Sequence, residues 1–163
     1  MNHEQKYFIT IFVIFGLGAV ILQTLFVPYL EIKLWHPDIV VVIVLLIGRR
    51  FGSIQGSSAG FLLGIIQDSL TSMPIGISAL PKSIIGYASG KMKSVSIGGT
   101  MYIVWFVFMI FLHELIIYLF LQFKTELSFA PLVYTRVFPN TIYTTMMFFI
   151  ISFFFKKYFT EDY

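Results

Sequence analysis

The stretch of residues 52–68, G-S-I-Q-G-S-S-A-G-F-L-L-G-I-I-Q-D, decides the fold. It carries glycine at every fourth position, at Gly52, Gly56, Gly60 and Gly64. On an α-helix this spacing places the glycines along one slowly drifting stripe. A helix with so little side chain on one flank lets a neighbouring backbone approach closely. The stretch therefore predicts a tightly packed helix, and packing within one molecule is favoured over a homodimer interface.

The composition around this stretch indicates an integral membrane protein. Of the 163 residues, 58% are hydrophobic and 12% are charged, whereas soluble domains carry about 25% charged residues. The length leaves room for about six spans of roughly 20 residues each, and for no separate soluble domain. The chain contains no cysteine, which excludes disulfides and thiolate metal sites.

The apolar runs predict an all-α membrane protein, a compact bundle of six transmembrane helices that forms one domain over residues 1–163. The first run is too long for a signal peptide and lacks a small-residue cleavage site, so we expect it to be retained. The valine-rich run 39–47 is predicted to be a helix, because an unpaired strand cannot cross lipid. Its span is only about 21 Å long, which predicts that protein surrounds it. Pro81 predicts a kink midway along the fourth span. The predicted spans cover residues 7–30, 37–50, 52–70, 74–90, 98–121 and 131–155.

The basic residues predict the orientation of the bundle. With six spans, both termini lie on one side of the membrane, together with the second and fourth loops. That side holds seven basic residues, and the opposite loops hold only Lys33 and Lys124. The seven are Lys6, Arg49, Arg50, Lys91, Lys93, Lys156 and Lys157. Both termini are therefore predicted to be cytoplasmic.

Five ionisable residues fall in the predicted outer half of the bundle: Asp38, Asp68, Lys82, Glu114 and Arg136. Glu114 and Arg136 lie at similar depths, about 10 and 8 Å below the outer face, and we predict that they pair. Lys82 is predicted to lie beside Asp68, and Asp38 is explained as a helix-opening aspartate. A charge in lipid is costly, so these residues are expected to be paired or to face a polar cavity. Two interpretations stay open. The charges either form structural ion pairs or line a polar cavity that receives a partner helix, a lipid headgroup or a solute.

Patterns typical of catalysis, metal binding or nucleic-acid binding are weak. The three histidines are scattered, without the i, i+4 spacing of a helical zinc site. His113 and Glu114 are adjacent, and adjacent helical residues are expected to point to different faces. Asp38 and Asp68 are similar to the paired aspartates of intramembrane aspartic proteases, but they lie outside the asparagine-containing motifs of that family. The sequence predicts no catalytic residue, no metal and no cofactor.

Residues 37–93 carry a more specific pattern. Pro37 and Asp38 open the second helix, and a G-F-x-x-G-x-x-x-D run extends over residues 60–68. A serine-rich turn that ends in glycine follows at residues 72–76, and an S-I-I-x-Y segment covers residues 83–87. This combination resembles MreD, the rod shape-determining membrane protein family of bacteria.

The resemblance implies a non-enzymatic scaffold of the cell-elongation complex in the bacterial inner membrane. Such a protein binds the bitopic protein MreC and acts with MreB and with the RodA and penicillin-binding protein complex in peptidoglycan synthesis. The family also resembles substrate-binding subunits of energy-coupling-factor vitamin transporters. A small-solute binding subunit of a transporter is therefore the alternative function. Membrane lipid is the expected surrounding, and nucleic acid is not an expected partner.

Overall fold

The computed structural model describes residues 3–33, 35–71, 73–95, 99–122 and 129–159. The regular elements within these ranges are helices, apart from an isolated bridge between Ile32 and Trp35. A one-turn helix at Val27–Leu30 and a 3₁₀ turn at Met92–Ser94 lie in the connections. The long helices are α1 His3–Leu25, α2 Ile39–Phe51, α3 Ser53–Leu70, α4 Ala79–Lys91, α5 Gly99–Gln122 and α6 Phe129–Phe155.

Three of these helices, α1, α5 from Thr100 and α6, are long and apolar enough to cross a membrane. They have 23, 23 and 27 residues, and no more than 33% of their most apolar stretch is buried in the molecule. At least two thirds of each stretch is therefore not buried within the molecule. Both α1 and α6 contain a π-helical turn, at Phe12–Leu17 and Val133–Val137.

Helix α2 lies at the centre of the bundle. Residues 40–47 are between 0 and 4% exposed, as expected of a helix that is apolar on all sides. The predictions that this run is helical and surrounded by protein are confirmed. Its 13 residues extend over about 20 Å, which is less than the roughly 30 Å hydrocarbon core of a bilayer. Helix α3 packs mainly on α4, and α2 packs against both.

A single residue, Gly52, connects α2 to α3. Its φ of +108° lies in the region that favours glycine, because other residues have a Cβ that clashes there. A Cβ built on Gly52 would meet no atom closer than 3.5 Å, although the backbone of Gly52 contacts Gly90 of α4. Gly52 is thus a turn residue, and the helical stripe begins at Gly56.

Helix α4 begins at Ala79, five residues later than the predicted span. Pro81 is therefore the third residue of the helix, where a backbone N–H has no partner within the helix in any case. The predicted kink midway along this helix is wrong, because the proline stands in the first turn.

Candidate functional site

The glycine stripe of α3 packs directly on the backbone of α4. A Cβ at Gly56 would collide with the carbonyl of Gly86, and one at Gly60 with the carbonyl of Lys82. A Cβ at Gly64 would collide with the backbone of Ala79. Because backbone atoms cannot rotate away as side chains do, even a methyl group at these positions requires the helices to separate.

Three glycines on the partner helices complete this contact, and the sequence analysis did not identify them. The backbone of α3 packs against Gly86 of α4 at Gly56 and against Gly90 at Ser53. Gly48 of α2 also packs against Gly86. The spacing of four residues between Gly86 and Gly90 is the same signal as in α3. We call Gly48, Gly56, Gly60, Gly64, Gly86 and Gly90 the glycine seam.

Serine side chains add hydrogen bonds along the seam. The Oγ atoms of Ser57 on α3 and Ser83 on α4 are 2.8 Å apart. Ser89 Oγ donates to the carbonyl of Leu45 on α2 at 2.5 Å. The small residues therefore bring the helices close enough for polar atoms on each to satisfy one another.

Asp38 and Lys82 form a buried ion pair where α2 begins. Lys82 Nζ lies 2.6 Å from Asp38 Oδ2, and the two side chains are 0% and 7% exposed. The other carboxylate oxygen of Asp38 accepts the Val41 N–H at 3.0 Å, which caps the first turn of α2. The prediction that Asp38 opens this helix is confirmed, but its carboxylate also neutralises Lys82.

Asp68 has different partners from those predicted. Its carboxylate accepts the backbone N–H of Gly76 at 2.8 Å and that of Ser78 at 3.2 Å. These bonds hold the connection between α3 and α4. The prediction that Asp68 lies beside Lys82 is corrected here, because Asp38 takes the ammonium group of Lys82.

His113 and Glu114 of α5 reach the same buried region. His113 Nε2 lies 3.4 Å from Lys82 Nζ and 3.8 Å from Asp38 Oδ2. His113 Nδ1 has no hydrogen-bond partner within the described ranges, although it lies 3.4 Å from Glu114 Oε1. The polar ends of these two adjacent side chains therefore lie close together.

Helix α6 supplies amide and hydroxyl groups that the sequence analysis did not select. Asn140 Nδ2 donates to Glu114 Oε2 and to the Tyr118 hydroxyl, at 3.2 Å in each case. Thr144 Oγ1 accepts the backbone N–H of Asp38 at 3.0 Å. Asn140 and Thr144 stand four residues apart in an apolar helix, a spacing that places both on one face.

Helix α1 also holds the start of α2. Gln23 Nε2 donates to the carbonyl of Pro37 at 2.9 Å, and Gln23 Oε1 accepts the Ile39 N–H at 2.8 Å. Trp35 Nε1 donates to the carbonyl of Thr135 at 2.8 Å, within the π turn of α6. Side chains from α1, α4, α5 and α6 therefore converge where α2 begins. We call Gln23, Asp38, Lys82, His113, Glu114, Asn140 and Thr144 the polar network.

Arg136 lies in the π turn Val133–Val137. The Glu114 carboxylate accepts a hydrogen bond from Asn140. The pairing of Glu114 with Arg136 stays a prediction. Within the described ranges, no group of three His, Asp or Glu side chains has an arrangement that could hold a metal ion.

The comparison with protein families gives a match, which extends over all six long helices. The family described as rod shape-determining protein MreD matches residues 3–160. The chain belongs to the MreD family. Comparison with curated proteins and with solved structures finds no match. Membership of MreD gives this membrane protein a role in rod shape determination and a general association with the MreC and MreB shape complex.

Several residues of the motif described in the sequence analysis hold the three central helices together. Asp38 caps α2 and pairs with Lys82, and Gly60 and Gly64 bring α3 onto α4. Asp68 fixes the turn that follows. In this MreD-family chain these motif residues therefore act in the packing of α2, α3 and α4.

Proposed function

We propose that this MreD-family chain is a non-enzymatic scaffold of the cell-elongation complex in the bacterial inner membrane. It binds MreC, and through MreC it acts with MreB and with the RodA and penicillin-binding protein complex in lateral peptidoglycan synthesis. The observation that carries the proposal is the MreD match over residues 3–160. It extends over nearly the whole bundle, so the family role belongs to the bundle as a unit.

In the proposed topology all six helices cross the membrane, and both termini lie in the cytoplasm. Arg49 and Arg50 in the last turn of α2 and Lys91 at the end of α4 support this orientation, because cytoplasmic segments carry the excess of basic residues. Helices α2 and α4 have 13 residues each. Because α2 is buried among the other helices, its own length does not have to match the thickness of the bilayer.

The polar network favours a structural role for the buried charges over a solute cavity. Asp38 and Lys82 are bonded to each other with almost no exposed surface, and Glu114 is bonded to Asn140. A solute-binding transporter subunit would need such groups to face a roomy cavity. The seam likewise uses Gly56, Gly60 and Gly64 inside the molecule, which supports packing within one chain over a homodimer contact.

The test is depletion of the protein in its native host, with cell shape and co-purification of MreC scored together. We expect depleted cells to lose their elongated shape and the tagged chain to retain MreC. Cells that keep their shape, together with a tagged chain that retains no MreC, would contradict the proposal. Retention of transporter ATPases or of a stoichiometric small solute would support the transporter alternative instead.

A further inference from the structure

An apolar cavity lies at the end of the bundle where α2 and α4 finish. Its volume is about 270 Å³ and its lining is apolar throughout, formed by Met92, Val95, Met101, Val104, Trp105 and Phe108. The four α5 residues stand at positions i, i+3, i+4 and i+7, and therefore lie on one helix face. Met101 is 63% exposed, Val104 58% and Phe108 54%, so the cavity opens to the outside of the bundle.

Arg49 stands against the wall of this cavity. Its Nη2 donates to the carbonyl of the lining residue Val95 at 3.3 Å, and its guanidinium carbon is 5.8 Å from the ring centre of Tyr102. Arg49 is only partly exposed, and in the described ranges no carboxylate forms an ion pair with it. A partly buried cation without an acidic neighbour favours an anion from outside the chain.

Two further cations flank the lining residue Met92 in the sequence. Lys91 ends α4 directly before the lining residue Met92, and its Nζ lies 5.2 Å from the ring centre of Tyr87. Lys93 lies in the 3₁₀ turn Met92–Ser94, between the lining residues Met92 and Val95. Arg49 is thus the cation that contacts the lining of the cavity, at the end of the bundle where basic residues are concentrated.

We propose that this cavity binds an anionic phospholipid, with one acyl chain against the α5 face and the phosphate near Arg49. Basic pockets between membrane helices have the charge that anionic headgroups require. A volume of about 270 Å³ suits a segment of one hydrocarbon chain. A partner helix, by contrast, is roughly 10 Å across and would need a longer groove. The proposal goes beyond the scaffold role and does not depend on MreC binding.

The test uses the full chain purified in detergent, with lipid binding measured by native mass spectrometry. Phosphatidylglycerol and phosphatidylcholine with identical acyl chains are the two probes, so that only headgroup charge differs. We expect tighter binding of phosphatidylglycerol. Arg49→Gln should weaken it by about fivefold, which is the ~1 kcal/mol attributed to one basic residue near an anionic headgroup. Phosphatidylcholine binding should be unchanged.

Lys6→Gln is the matched charge control, because it removes a cation at an exposed position of α1 that does not line the cavity. Val104→Trp fills the cavity and should weaken binding of both lipids. Ile103→Trp, next to it on α5 but not in the lining, should leave both unchanged. Met101→Trp gives a second filling variant at a position that is 63% exposed, in case Val104→Trp does not fold.

Three results would overturn the proposal. Equal affinity of the unmodified chain for the two lipids would exclude headgroup selection. Equal losses in Arg49→Gln and Lys6→Gln would show that only overall charge matters. Unchanged lipid binding in both filling variants, together with loss of a co-purifying membrane protein, would assign the cavity to a partner chain instead.

Discussion

The glycine seam and the polar network hold the same central helices together by opposite means. Along the seam, α3 approaches α4 because Gly56, Gly60 and Gly64 have no side chains. In the network, Lys82 extends a long side chain from α4 to Asp38 at the start of α2. The seam depends on residues without side chains, whereas the network depends on hydrogen bonds and ion pairs between buried polar side chains.

Lys82 belongs to both regions, and this shows how they depend on each other. Its carbonyl is the atom that a side chain at Gly60 would strike, while its ammonium group pairs with Asp38. The position of the Lys82 backbone is therefore set by the seam, and its charge is neutralised in the network. The following changes separate these two contributions, from the largest expected effect to the smallest.

Replacing Gly60 with leucine should have the largest effect. The added side chain meets backbone of α4, so we expect α3 and α4 to separate, at a cost above the ~1–3 kcal/mol typical of overpacking. Little folded protein should be recovered, measured as the monodisperse fraction in size-exclusion chromatography. Gly18→Leu is the control, since a Cβ there meets nothing within 4 Å. Equal recovery of the two variants would contradict close packing at Gly60.

Lys82→Met should be the next most damaging change, because it leaves the buried Asp38 carboxylate without its closest cation. Breaking a buried pair costs about 3–5 kcal/mol, measured as the loss of thermal stability in detergent. Adding Asp38→Asn should restore most of that loss, since asparagine keeps the helix cap and carries no charge. Lys91→Met on the same helix is the control. If the double variant is no more stable than Lys82→Met, the pair is not what stabilises this region.

Asp68→Ala should have a smaller and more local effect. It leaves the N–H groups of Gly76 and Ser78 without their acceptor, at a cost of about 1–3 kcal/mol. Hydrogen exchange of these two amides should accelerate, while exchange in α2 stays slow. Ser69→Ala, at an exposed neighbouring position, should leave both unchanged. Unaltered exchange at Gly76 and Ser78 would show that Asp68 does not hold the turn.

The sequence was sufficient for features that depend on one helix alone. The apolar run of α2 is uninterrupted and short, and both facts require burial by protein. The spacing of Gly56, Gly60 and Gly64 defines a stripe without knowledge of its partner. The stripe on α3 does not identify the helix that packs against it. The sequence analysis therefore did not select Gly86 and Gly90 of α4.

The pairing of charges was beyond the sequence for a geometric reason. Depth along a helix can be counted in residues, but lateral position in the bundle cannot. Depth predicted Asp68 as the neighbour of Lys82, whereas in the structure Lys82 pairs with Asp38. Asp68 instead bonds backbone N–H groups, which every residue except proline carries and which therefore leave no sequence signal.

The single-residue connection at Gly52 has a consequence for the biogenesis of the protein. A helix of 13 residues is too short to be a stable span when it leaves the translocon alone. Because only Gly52 separates α2 from α3, we expect the two to enter the bilayer together as a helical hairpin. We then expect Asp38 to stay near the headgroups until α4 has been synthesised and Lys82 can pair with it. The buried ion pair would thus form late, and its formation would mark the completion of the central bundle.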